Sequence, residues 1–181
     1  AMDLVAEAAF LSSLDHPNII KLRGLSSHGP RGFASGTPSG YFLIIDRLHG
    51  TLDERIRAWR NQAAEEGLDT GDGSISSRLK SKLSRGKRCY EKSRATLADR
   101  LRVAPDIASA LVYLHSKGVL YRDLKPSNVG FDSQGRVQLF DFGLAKEVNS
   151  LDAANYGTYL LSGNTGSPRF MAPEGKANVF G

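Results

Sequence analysis

Tyr121-Arg122-Asp123-Leu124-Lys125-Pro126-Ser127-Asn128 decides how this chain is read. Within it, Arg-Asp-Leu-Lys-Pro-x-Asn fixes six positions, a pattern that chance produces on the order of once in 10^7 to 10^8 starting points. Asp141-Phe142-Gly143 follows, and then Ala172-Pro173-Glu174. A hydrogen-bonded loop with incidental acids accounts poorly for three such motifs in order.

Outward from that stretch, the composition sets bounds. The chain has 181 residues, 40% hydrophobic and 24% charged, the balance of one globular domain and not of a disordered tail. No apolar run approaches the roughly 20 residues of a membrane helix, so no membrane span is expected. Cys89 is the only cysteine, which excludes an intrachain disulfide framework and fits an intracellular setting, cytoplasmic or nuclear. The four histidines have no metal-ligand spacing. A net charge of +5 permits acidic partners but is too mild to argue nucleic-acid binding.

The flanking segments alternate in type. Leu4, Ala8, Leu11 and Leu14 predict a helix over 1–14, broken at Asp15-His16-Pro17-Asn18. Ile19 to Leu25 is a strand candidate, 26–40 a loop, and Tyr41 to Ile45 a buried strand. Thr51 and Glu54 form a capping-box pattern for a helix running through Trp59. Residues 61–96 turn from acidic to basic, with eight cations over 74–96 against Glu91, and are expected to be an exposed, partly disordered insertion. Leu97, Leu101, Ala104, Ala108, Leu111 and Leu114 predict a further helix closed by Lys117-Gly118, although Pro105 lies inside it.

The three motifs, in this order, resemble those of a eukaryotic protein kinase, and the Lys-Pro form of the first resembles the serine/threonine type. The resemblance implies an α+β fold, a kinase-like arrangement of N-lobe strands and the start of a helical C-lobe. It implies ATP and Mg²⁺ as cofactors and a protein Ser/Thr hydroxyl as acceptor. Asp123 would accept the hydroxyl proton, and Lys125 would set a cation beside the transferring phosphoryl group. Asn128 and Asp141 would hold Mg²⁺. Tyr121 stands where the family usually has His, and its ring would pack under Phe142, with Leu11 and Leu22 completing the stack.

The resemblance extends in both directions. Glu7 falls at the position of the family's helix glutamate, the partner of a phosphate-gripping lysine. Ile45 would be the gatekeeper, and the backbone from Asp46 to Leu48 would meet adenine. Gly130 falls where many kinases set an apolar floor under the base, so altered packing there is expected. Residues 141–174 would be the activation segment, with Ser167 bonding near Asp123 and Lys125 as in serine/threonine or tyrosine-kinase-like kinases. Arg122 would pair with a phosphate on that segment, with Ser162 and Thr165 the leading acceptors among its hydroxyls.

Departures from the family pattern are as informative. The chain opens at the helix of Glu7, without a Gly-rich phosphate loop or strand lysine, and Gly29, Gly32, Gly36 and Gly40 do not have the spacing to replace that loop. It stops seven residues after Glu174. The expectation is a partial kinase domain: 1–48 the remainder of the N-lobe and hinge, 49–181 the start of the C-lobe. Alone it would be inactive, with Leu111, Leu114, Phe170 and Met171 lacking their usual cover. The competing reading is a truncated, pseudokinase-like interaction module. In either case the basic insertion could dock an acidic partner.

Overall fold

The computed structural model describes residues 2–26, 40–67, 97–98, 100–148, 163 and 165–176. Helix α1 spans Met2–Ser13. Ala8 and Leu11 on it are buried and Leu4 and Leu14 partly so, which is the stripe that the spacing predicts. Strand β1 (Leu22–Leu25) pairs antiparallel with β2 (Leu43–Ile45), with a register shift between Leu22 and Gly24.

Helix α2 (Leu52–Gly67) opens on the expected capping box. Thr51 N–H donates to Glu54 Oε2 at 2.8 Å, and Glu54 N–H donates to Thr51 Oγ1 at 3.3 Å. The helix continues well past Trp59, so the first seven residues of the 61–96 stretch are helical. That run includes Ala63, Ala64, Glu65 and Glu66, all strong helix formers. Most of the basic insertion lies outside the described residues.

Helix α3 covers 100–116 and passes through Pro105 without a break. Residues 101, 102, 104 and 105 are exposed, so water can take the carbonyl that proline leaves without a donor. The helix ends at Gly118, whose φ of 69° suits glycine. Its buried face agrees with the expected one at Leu111 and Leu114 and departs from it at Leu97, Leu101, Ala104 and Ala108. Val103, Ala110 and Leu114 are buried and Ile107 packs against them, whereas Leu97 is 53% and Leu101 60% exposed. Both stripes have helical spacing, and burial follows the one that meets the chain's own core. For the same reason Leu114 is fully covered instead of bare, while Phe170 is 49% exposed.

Two further short strand pairs follow. β3 (Val119–Leu120) pairs with β6 (Lys146–Glu147), and β4 (Val129–Phe131) pairs with β5 (Val137–Leu139), both antiparallel. A short helix, α4, covers Pro173–Lys176. The core gathers Leu11, Ile19 and Ile20 around Val129, Leu139 and Phe142. The expectation of a buried strand over Tyr41–Ile45 fails on one face: Tyr41 is buried, but Phe42 is 50% and Ile44 51% exposed. Among the described residues β1 alone pairs with it, and a two-stranded sheet leaves one face uncovered.

The segment after α1 is strapped to β5. Ile20 N–H donates to Leu139 O at 2.9 Å, and Leu139 N–H to Asn18 O at 2.8 Å. Asn18 Nδ2 donates to Val137 O at 3.0 Å, and Gln138 Nε2 to Pro17 O at 2.8 Å. Among the described residues, no helix is long and apolar enough to cross a membrane.

Candidate active site

Pro126 starts a 3₁₀ turn, Pro126–Asn128, directly after Lys125 in extended conformation. That bend folds the loop back on itself, so residues two and five positions after Asp123 return to its carboxylate. Lys125 Nζ lies 2.6 Å from Asp123 Oδ2, and Asn128 Nδ2 donates to the same oxygen at 3.0 Å. Asn128 Nδ2 also reaches Asp123 O at 3.2 Å.

Ser167 closes the cluster from more than 40 residues away. Its N–H donates to Asp123 Oδ1 at 2.9 Å, and Lys125 Nζ donates to its Oγ at 3.1 Å. Gly166 makes this approach possible: at φ 114°, it lies against Arg122 so closely that a Cβ would collide with the Arg122 carbonyl. Ser167 thus touches both Asp123 and Lys125. The need for glycine beside it was not foreseen; its only sequence signal is the Gly-Ser pair itself.

Asp123 is only 5% exposed. Burial acts to raise its carboxyl, but the Lys125 ammonium and the hydrogen bonds from Ser167 outweigh it and hold the group below the ordinary carboxylate range. A carboxylate offers about four lone-pair sites. Among the described residues Lys125, Asn128 and Ser167 supply the donors to them.

Around this cluster the backbone is strained. Arg122 and Asp141 are the non-glycine residues with positive φ among those described, at 63° and 64°. Arg122 Nε donates to Leu144 O at 2.7 Å, which ties the loop to the residue after Gly143, and burial lowers the guanidinium below its ordinary value.

Asp141 itself is exposed, and Phe142 beside it is completely buried. Phe142 meets Tyr121 edge to face, with ring centroids 5.1 Å apart. The Tyr121 hydroxyl donates to Phe140 O, a contact that the sequence did not suggest. Burial raises the Tyr121 phenol above its ordinary value, so it stays protonated as a donor. Leu11 is in the same core and Leu22 packs against it.

Glu7 makes its contact with this motif. Its Oε1 accepts the Phe142 N–H at 3.2 Å. Burial raises the Glu7 carboxyl above its ordinary value, and the charge of Asp141 adds to that.

The expected base-binding residues lie along the exit from β2. Ile45 is 38% exposed. Asp46 turns its carboxylate to Arg23, with Nε and Nη2 at 2.6 and 2.8 Å, and its N–H donates to Lys21 O. Leu48 packs onto Gly130, where a Cβ would stand 2.5 Å from Leu48 Cδ1. A neighbouring side chain thus fills the space that glycine leaves. Thr165 is half-buried, and its hydroxyl donates to Gly163 O at 3.4 Å. Ser162 lies outside the described residues.

Asn128 uses its amide nitrogen on Asp123, which leaves its amide oxygen as a donor atom. With the Asp141 carboxylate this gives oxygen ligands of the kind that Mg²⁺ prefers.

Comparison with known proteins bears on this geometry. The model of the protein kinase domain family matches residues 1–176. The chain is 46% identical over 88 residues to the serine/threonine-protein kinase Sgk1 of Rattus norvegicus, a match covering 49% of this chain and 18% of that protein. Human Sgk1 is 44% identical over the same length. The serine/threonine-protein kinase RUNKEL of Arabidopsis thaliana is 43% identical over 72 residues, 40% of this chain and 5% of that protein. The chain therefore spans a minor part of the length of the curated relatives it matches. A family match over nearly every residue makes this chain a member of the protein kinase family, and the relatives it is similar to are serine/threonine kinases.

Proposed function

We propose that the Asp123 cluster is the phosphoryl-transfer centre of an ATP-dependent serine/threonine protein kinase, and that the chain is part of a longer catalytic domain. The carrying observation is the convergence of Lys125, Asn128 and Ser167 on the two oxygens of one buried carboxylate. Asp123 stays ionised, so it can align a substrate hydroxyl and take its proton as the bond to phosphorus forms. Lys125 offsets negative charge on the group being transferred. Mg²⁺ held by Asn128 and Asp141 would supply charge neutralisation on the nucleotide phosphates. Such a transfer asks mainly for positioning, which a hydrogen-bonded cluster provides.

Residues 1–48 are assigned to the N-lobe and hinge, 49–181 to the start of the C-lobe, and 141–174 to the activation segment. Ile45, Asp46, Leu48 and Gly130 are assigned to the adenine side of the site, and Arg122 to reading a phosphate on Thr165 or Ser162. The setting we favour is cytoplasmic, on the strength of the single cysteine. The bare faces at Phe42 and Ile44 and at Leu97 and Leu101 support a longer domain that covers them.

The test is transfer of labelled phosphate from Mg-ATP to a protein Ser or Thr by the longer catalytic domain that contains these residues, beside Asp141→Ala and Asp123→Asn in that domain. Transfer by the unsubstituted domain alone supports the reading. Nucleotide binding without transfer, unchanged by Asp123→Asn, would favour an interaction module instead.

A further inference from the structure

Helices α2 and α3 face one another across a cavity of about 400 Å³ that plays no part in the Asp123 cluster. Its walls are apolar: Ile56 and Trp59 from α2, Val103 and Ile107 from α3. Arg60 and Arg100, both exposed, stand at its edge. A second cavity of about 410 Å³ shares Trp59 and Val103 with the first. Arg55, Arg102 and Asp106 line it, so four guanidinium groups and one carboxylate border the combined groove. Two of the four are already oriented by aromatic rings. Arg100 stands 5.4 Å from the centroid of Trp59, and Arg55 lies 3.3 Å over Phe131.

An apolar trench with a cationic border discriminates between occupants. A basic segment would meet like charges at its edges, and a purely apolar one would offer no charge to Arg60 and Arg100. Nucleic acid would meet the arginines, but its phosphates would gain nothing from the aliphatic walls formed by Ile56, Val103 and Ile107. The volume is that of an ordinary ligand pocket and holds one or two large apolar side chains.

We propose that the groove between α2 and α3 docks a short acidic segment of a partner protein, one that inserts apolar side chains between Trp59 and Val103 while its Asp or Glu residues meet Arg60 and Arg100. The inference does not depend on phosphoryl transfer.

Trp59 is the only tryptophan in the chain and lies in both cavities, so its fluorescence reports occupancy directly. The probes are three synthetic peptides on the full chain. One carries Leu-x-x-Leu among Asp and Glu, the second has the acids changed to Lys, and the third has both Leu changed to Ser. Saturable change in Trp59 emission is expected with the first, at least about tenfold tighter than with the other two, and weakened as salt screens the pairs.

Arg60→Glu with Arg100→Glu should abolish the preference or reverse it toward the Lys peptide, and Arg60→Gln with Arg100→Gln should give an intermediate loss. Circular dichroism on both variants separates lost binding from lost fold, and the graded pair keeps the test decisive if the reversal unfolds. Equal affinity for the acidic and basic peptides would overturn the proposal. So would unchanged binding by the Gln pair, binding by the Ser peptide as tight as the first, or displacement of the acidic peptide by a single-stranded oligouridine that binds more tightly.

Discussion

Leu48 occupies the space that any side chain at Gly130 would claim, with Cδ1 2.5 Å and Cδ2 3.0 Å from where a Cβ would be. The clashing atoms are the far end of a side chain that can turn aside. Gly130→Ala should therefore cost little, below about 1 kcal/mol. Gly130→Leu should overpack the pair and cost about 1–3 kcal/mol. Leu48→Ala in the same chain should recover part of that loss. Urea unfolding of the two single variants and the double variant measures the coupling, and strict additivity would show that the two side chains do not compete.

Asp123→Asn keeps the shape of the cluster but removes the charge that Lys125 faces at 2.6 Å. A loss of about 1.5–3 kcal/mol at neutral pH is expected, the range for hydrogen bonds to charged groups. The pH dependence carries the sign. A carboxyl held below its unfolded value contributes stability above about pH 4, and that contribution disappears as pH falls through the folded value. The parent chain should lose stability on acidification faster than the variant, so the two stability curves converge at low pH. Parallel curves from pH 7 down to about pH 3 would mean that the charge contributes nothing.

Glu7 should behave in the opposite sense. Its carboxyl is raised, chiefly by burial, so below the ordinary value of 4.5 both folded and unfolded chains carry the proton and nothing is lost. As pH rises through the elevated folded value, the unfolded chain ionises first and the parent loses stability. Glu7→Gln retains an oxygen acceptor for the Phe142 N–H and has no proton to lose. Its stability relative to the parent should climb above about pH 4.5 and then level off, as read by unfolding midpoints across pH 4 to 8.

Phe142→Ala removes a completely buried ring from the centre of the core and should cost about 3–5 kcal/mol. Tyr121→Phe preserves the edge-to-face contact and loses the hydroxyl that bonds Phe140 O, for about 0.5–1.5 kcal/mol. Thermal unfolding should rank the two in that order by a wide margin.

What sequence reading could find follows from how far apart the interacting residues lie. The Asp123–Lys125–Asn128 set falls within six residues, and a proline in the middle announces its bend. The Thr51–Glu54 cap and the glycine stop at Gly118 are equally local, and each shows as a residue type at a fixed offset. On α3 the same logic misleads, because Leu97, Leu101, Ala104 and Ala108 repeat as regularly as Val103, Ile107, Ala110 and Leu114. Only the position of the core chooses between them. The bonds from Asn18 and Gln138 join segments about 120 residues apart, and no offset in the chain encodes them.

That last set of bonds also fixes a fulcrum. Residues 17–20 are held at four points to residues 137–139, so the C-terminal end of α1 has little freedom to travel. Glu7 lies six residues before Ser13, about 9 Å along the helix axis from the anchored end. A tilt of about 10° about that end would carry Glu7 about 1.6 Å, enough to part it from the Phe142 N–H at 3.2 Å. Helix α1 is in effect a lever, short on its tethered side and long on the other. A slight push on its outer turns decides whether this carboxyl stays joined to the Phe142 N–H or parts from it.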